Sequence, residues 1–209
     1  MPTVVPTRPR GSYAKSAAIR IKVLDACVEA FAKTGFYGAT MKDIAARAGI
    51  SYNGLLHHFP NKEVLLIALL EHRDARSTHV FEEADARIAN TPNHSIRAML
   101  DVAVDNELEP GLIELHATLS AEATSPGHPA HEYFRRRYQG LRNFYESAFQ
   151  TIADRGELTT TLQPKALAAM FIALMDGLQV QWLYAQDSLH IAAPLREFLD
   201  SVIATDPPR

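Results

Sequence analysis

Residues 39–59 read ATMKDIAARAGISYNGLLHHF. Helical patterning runs up to Ala48, breaks, and resumes after Ser51. Thr40 followed three residues later by Asp43 is a capping-box-like start, with the hydroxyl available to orphan backbone N–H groups. Gly49 can take the left-handed conformation that turns the chain, and Ser51 then caps a second short helix. Ile44, Ala45, Ala48, Ile50, Leu55 and Phe59 are spaced to pack the two helices on each other and on a preceding one. Helices this short are unstable alone, so tertiary packing must hold them. The segment reads as a helix-turn-helix, whose second helix can lie in a DNA major groove. Tyr52, Asn53, Gly54 and His57 point away from the apolar set, and the helix N-terminus offers free N–H groups and partial positive charge to phosphate.

Outward from this segment the pattern stays helical, with no sustained period-two alternation and no repeats, so the chain is expected to be all-α. A first helix over about 16–33 carries a buried stripe of Val23, Leu24, Cys27, Val28 and Phe31, and Gly35 and Gly38 end it. A long helix over about 62–89 follows the quoted segment and stops at NTPNHS, where Pro92 acts as the breaker. Further helices are expected at about 95–106, 110–123, 129–155, 164–186 and 194–204. Gly156 stops the fifth of the long ones, and Pro164 suits a first helical position. Residues 1–14, with three Pro and a Gly, are expected to be a disordered basic arm. Residues 15–61 form the DNA-binding unit and 62–209 a helical body, with 62–89 connecting them.

Charge separates the same two parts. Residues 1–62 hold nine Lys/Arg against three Asp/Glu, a balance of +6, while residues 63–209 balance at −9, giving the net −3. A basic head on an acidic body favours a polyanionic partner. The single cysteine, Cys27, excludes a disulfide framework and a cysteine-based zinc cluster. No stretch of signal-peptide character opens the chain, and the longest apolar run, 166–175, is too short for a bilayer span. The cytoplasm is the expected compartment, with no membrane partner.

The extended stretch FAKTGFYGATMKDIAARAGISYNGLLHHFPNKEVLLIALL resembles the DNA-binding domain of the TetR family of transcriptional regulators. The resemblance rests on Phe31, Gly35, Thr40, Ile44, Ala45, Ala48 to Ser51, Leu55, His58, Phe59, Lys62, Glu63 and Leu65. It covers roughly residues 16–70, and the rest matches in layout. The resemblance implies that Thr40, Lys42 and Lys62 contact phosphates while Tyr52, Asn53 and Gly54 meet base edges. Phosphate contacts position a protein, and base contacts specify sequence. Asn53 can bond an adenine bidentately. The family often has Gly at the position of Asn53 and Tyr at that of Leu56, so a phenolic hydroxyl that commonly meets phosphate is missing here. His57 is the substitute contact, and His58 is either a DNA contact or a packed, capping residue. Arg8, Arg10 and Lys15 are either a minor-groove arm or solubilising charge.

The resemblance further implies a homodimer, joined through the last two long helices, whose body binds a small-molecule effector. Asp176 and Gln179 stand out on an apolar helix, and buried polar groups need partners. With His116, Tyr138, Tyr145 and Trp182 they are the candidate effector contacts, each equally readable as a satisfied core residue. Ala169, Ala173 and Gly177 recur every four residues and, with Phe198 and Val202, are the candidate dimer seam. The run Arg135, Arg136, Arg137 reads as a solvated face.

A helical metal protein or enzyme is the competing class. It would use His116 with His128 and His131 of the HPAHE stretch. No Glu-x-x-His pair, HExxH, GxSxG, GxGxxG or P-loop is present. No catalytic residue, metal or cofactor is expected; the resemblance implies a repressor released from a palindromic operator by a small effector, with an activator as the alternative.

Overall fold

A computed structural model of the protein describes residues 10–204, with side chains described throughout that range except at 10–14, 76–79 and 101–106. Among the described residues there are nine helices: α1 (Arg10–Gly38), α2 (Met41–Arg47), α3 (Tyr52–His58), α4 (Lys62–Arg87), α5 (Pro92–Glu107), α6 (Pro110–Glu122), α7 (His131–Asp154), α8 (Pro164–Tyr184) and α9 (Ala192–Val202). The one departure from helix pairing is a single antiparallel bridge, Leu158 with Ile203.

Local chemistry accounts for the breaks. Gly35 interrupts α1 with φ 66° and ψ −177°, a backbone region that other residues avoid. Gly49, at φ 65°, closes α2 as a Schellman turn, with Ile50 N–H on the Ala45 carbonyl at 3.0 Å and Gly49 N–H on Ala46 at 3.1 Å. Asn61 caps α4 by accepting from the Val64 N–H at 2.8 Å.

Two boundaries differ from the sequence expectation for a physical reason. Helix α1 begins at Arg10, so 10–14 are helical and not a disordered arm; Ala14, Ala17 and Ala18 favour helix, and only Gly11 opposes it. Residues 1–9, with Arg8, lie outside the described residues. Pro92 opens α5 instead of merely ending α4, because the first turn needs no proline N–H.

Two cores divide the molecule. The first joins Val23, Cys27 and Phe31 of α1 to Ile44 of α2, Leu55 of α3, and Leu65, Leu66, Leu69 and Leu70 of α4, and it extends to Leu115 and Leu119 of α6 and Phe134 of α7. The head therefore does not stop at residue 61. The second core joins Ala84 and Ile88 at the far end of α4 to Ile96 and Leu100 of α5, Tyr145 and Phe149 of α7, Phe171 of α8 and Leu195 and Leu199 of α9.

Helix α8 is long and apolar enough, by length and composition, to cross a membrane. One side of it is buried by the second core. Its other side exposes Ala169, Met170, Ala173, Val180 and Tyr184, with Gly177 half-buried among them.

Candidate nucleic-acid interface and buried cavity

The head presents the second short helix on a fixed seat. Ser51 Oγ accepts from the Gly54 N–H at 3.0 Å, and a Cβ on Gly54 would stand 3.1 Å from that oxygen, so glycine leaves the cap undisturbed. Leu55 and Phe59 plug into the core with no exposure. The Arg20 guanidinium lies 4.4 Å over the Phe59 ring and donates to the His58 carbonyl at 3.0 Å, tying the end of α3 to α1. This seating turns Tyr52, Asn53 and His57 to solvent, with Tyr52 41% exposed. Thr40 and Lys42 are exposed at the start of α2, where Thr40 Oγ1 accepts from the Asp43 N–H at 3.2 Å and donates to its carboxylate at 2.7 Å. His58 is half-buried against the His57 ring, 5.5 Å away, and burial first, then His57 and Arg20, lower its pKa.

Lys62 departs from the expectation of a phosphate contact. Its ammonium donates to the carbonyls of Phe36 at 2.7 Å, Ala39 at 2.9 Å and Tyr37 at 3.4 Å, and sits 4.5 Å over the Phe36 ring. Those acceptors take all three protons. Lys62 therefore satisfies the orphan carbonyls where α1 ends, and positions the head from within.

The body holds a buried polar chain that spans four helices. Arg73 donates to His116 Nδ1 at 3.2 Å, which leaves the imidazole proton on Nε2, 3.4 Å from Asp176 Oδ1. Tyr138 donates to Asp176 Oδ2 at 2.7 Å. Next to this, Asp74 accepts from Tyr133 at 2.6 Å and pairs with Arg137. Burial holds the His116 pKa below its ordinary value, so the ring is neutral. Burial also pushes the Asp176 carboxyl up, but the donors His116 and Tyr138 and the charge of Arg137 outweigh it and keep it ionised. Burial beside Arg137 lowers Arg73 to about 10, and it remains cationic.

Helices α6, α7 and α8 border a half-open cavity of about 340 Å³ against this chain. Four expected effector residues, His116, Tyr138, Asp176 and Gln179, line it together. Tyr145 and Trp182 do not. Tyr145 is fully buried between Phe144 and Phe171, with ring centroids 5.1 and 4.9 Å away, and Trp182 packs in the second core. An aromatic at helical spacing looks the same whether it lines a void or fills one. Val202 is buried and Phe198, half-buried, stacks on Phe171 at 5.9 Å, while Ala169 and Ala173 are exposed and Gly177 is half-buried. In the arginine run only Arg135 and Arg136 are solvated, while Arg137 turns in to Asp74.

Sequence reasoning missed Arg73 and Asp74, and it named Glu122 only beside His116 as a metal-ligand candidate, not as the acceptor of the Phe36 N–H. Their partners lie on other helices, 43 to 86 residues away, and no local pattern announces such pairs. Glu122, at the end of α6, accepts from the Phe36 N–H at 2.7 Å and faces His128 Nε2 at 3.6 Å. His128 is buried edge-on to Phe36 and Tyr37, accepts at Nδ1 from the Ala130 N–H at 3.1 Å, and is kept neutral by burial. His131 donates to the Ala123 carbonyl at 2.8 Å. His116 is part of the separate Asp176 chain, and among the described residues no three His, Cys, Asp or Glu groups gather to hold a metal.

Comparison with known proteins gives the same division. Residues 23–69 match the family described as bacterial regulatory proteins, tetR family, and residues 92–205 match the family described as BetI-type transcriptional repressor, C-terminal. The HTH-type transcriptional regulator TtgR of Pseudomonas putida is 25% identical over 195 residues, covering 87% of this chain and 88% of that protein. BetI of Paraburkholderia xenovorans is 26% identical over 191 residues, covering 89% and 94%. The SmeT–triclosan complex, from a repressor of Stenotrophomonas maltophilia, shares the fold with a TM-score of 0.73 at 21% identity, over 92% of this chain and 95% of that one. The exposed second helix of the head, its capped turn and these matched residues together place the chain in the TetR family of DNA-binding transcriptional regulators.

Proposed function

We propose that the chain is a ligand-responsive repressor, which binds an inverted-repeat operator as a homodimer and releases it when a small molecule fills the α6–α7–α8 cavity. The observation that carries this reading is that one helix touches both sites. Along α6, His116 and Ser120 face the cavity, while Thr118 donates to the Ala32 carbonyl at 3.3 Å and Glu122 accepts from Phe36 at 2.7 Å. A ligand that moves α6 therefore acts on the end of α1 without any intervening loop. A coupling of ~1–3 kcal/mol would change operator affinity roughly 5–150-fold.

The apolar outer stripe of α8 supports the dimer, because small residues let a second copy of the helix approach closely. Two heads then address half-sites about one DNA turn, ~34 Å, apart. The relatives point the same way: SmeT is the repressor of a multidrug efflux pump and has been solved with triclosan. The chain acts by binding alone, on DNA in the cytoplasm, with no resident cofactor and no catalytic step.

Selection from randomised duplex DNA at near-physiological salt tests the reading. An enriched inverted repeat, bound by two chains per duplex, is expected. Enrichment of a single unrepeated site, or of nothing, overturns it.

A further inference from the structure

Two cavities meet at one hydrogen bond. His116 lines the α6–α7–α8 cavity, whereas Arg73 lines a second, half-open cavity of about 270 Å³. The bond from Arg73 Nη1 to His116 Nδ1, at 3.2 Å, joins the two walls. The second cavity lies where the head meets the body. Leu24, Asp25 and Val28 of α1 border it together with Leu69 and Arg73 of α4 and Leu112 of α6. The hold of His116 on Arg73 is conditional, because Nδ1 accepts only while Asp176 keeps the ring proton on Nε2. Both His116 and Asp176 line the first cavity, so a guest that bonds either of them there acts on Arg73.

Where it stands, Arg73 gives up more than it gains. Burial, and then the charge of Arg137, lower its pKa to about 10, although Tyr133, Asp74 and Asp176 offset part of this. The acceptor it bonds is a neutral imidazole. A carboxylate borders the same cavity. Asp25 is exposed on α1 and makes no hydrogen bond or ion pair among the described residues, while its neighbour Glu29 is taken by Arg47 at 3.1 Å. The open volume gives the Arg73 side chain room to turn without displacing packed atoms. A cation with an acceptor on each side and room to turn has two discrete arrangements, which is what a switch element needs.

We propose that Arg73 is a two-position residue, which donates to His116 in the structure described and, once His116 or Asp176 is disturbed, turns across the second cavity to pair with Asp25 on α1. Its regulatory role rests on the ligand-responsive reading, but its detection does not, because a substitution at His116 releases Arg73 without any guest.

Thermal unfolding of the full chain is compared for the parent, Asp25→Asn, His116→Leu and the double variant. Asp25→Asn is expected to leave the melting temperature of the parent unchanged and to lower that of His116→Leu by about 2 °C or more. Adding Arg73→Met to the His116→Leu chains should abolish that difference. His116→Gln should also make Asp25→Asn silent, since an amide accepts from Arg73 and donates to Asp176 as the imidazole does. Where His116→Leu does not fold, Asp176→Asn replaces it: without the carboxylate the ring proton is free to move to Nδ1 and face Arg73. An Asp25→Asn effect that is absent from His116→Leu, equal in it and the parent, or still present with Arg73→Met overturns the proposal. Affinity for the selected duplex is followed on the same chains. His116→Leu is expected to bind at least about fivefold more weakly, and Asp25→Asn to restore it. Coupling in stability with no change in affinity leaves the two positions of Arg73 standing and removes their regulatory role, whereas a loss of affinity with no coupling in stability overturns the switch and leaves the ligand-responsive reading intact.

Discussion

Glu122 on α6 occupies the space that a side chain on Gly35 of α1 would need: a Cβ there would come within 1.9 Å of Glu122 Oε1. The same carboxylate accepts from the next residue's N–H, Phe36, at 2.7 Å. Gly35→Ala therefore carries two penalties, a strained backbone at φ 66° costing ~1–3 kcal/mol and displacement of the carboxylate from its donor. Urea unfolding is expected to show the combined loss, with weaker DNA binding beside it. A variant as stable as the parent would mean that the contact is loose in solution.

Lys62→Met keeps the aliphatic stem and removes the three carbonyl bonds. Charge-assisted bonds of this kind contribute ~1.5–3 kcal/mol, so the melting temperature should fall clearly. The salt dependence of DNA binding should keep its slope, since the ammonium is committed to the end of α1. A slope reduced by about one unit would return Lys62 to the phosphate backbone.

Tyr52→Ala and Asn53→Ala change exposed side chains and should leave the melting temperature near that of the parent. Each should narrow the affinity gap between operator and unrelated DNA by ~1–3 kcal/mol. Competition binding against both duplexes reads this directly, and a uniform loss on both would assign the residues to phosphate.

Acid should weaken the fold at the His116 chain. Burial lowers the folded pKa of His116 below 6.5, so under acid the unfolded chain binds the proton that the folded one refuses. The stabilisation is complete above the unfolded value of about 6.5 and is lost as pH falls below it towards the lowered folded value. Burial first, in each case, lowers His58 and His128 with the same sign. Melting temperatures should drop between about pH 7.5 and about pH 5.5, and His116→Gln should shrink the drop. A melting temperature that rises with acid contradicts the neutral assignment.

Ala173→Glu places a carboxylate on the outer stripe of α8, where two copies would meet. Like charges facing across a two-fold axis oppose assembly. Size-exclusion chromatography should show a folded monomer, and an unchanged dimer would move the seam elsewhere.

The head was legible in the sequence because its determinants are local. Thr40, Gly49 and Ser51 act on backbone within three or four residues of themselves, and Phe59 follows the period of one helix. The body was half legible. Asp176 and Gln179 stood out as polar groups on an apolar helix, and both line the cavity. Tyr145 and Trp182 carried no mark to separate lining from filling. The carbonyl contacts of Lys62 were illegible because its acceptors lie 23 to 26 residues upstream, at a kink that only the folded chain brings to it.

Helix α4 belongs to both cores, and this limits how the protein can be cut and rejoined. Leu65, Leu66, Leu69 and Leu70 are at most 2% exposed within the head, while Ala84 and Ile88 serve the body. Four such leucines at ~1.5–3 kcal/mol each amount to the whole net stability of an ordinary domain, ~5–15 kcal/mol. A fragment ending at residue 61 therefore lacks the means to fold. A chimera that transplants this DNA specificity onto another body has to carry the first half of α4, and match Leu115 and Leu119 from the host, for its graft to take.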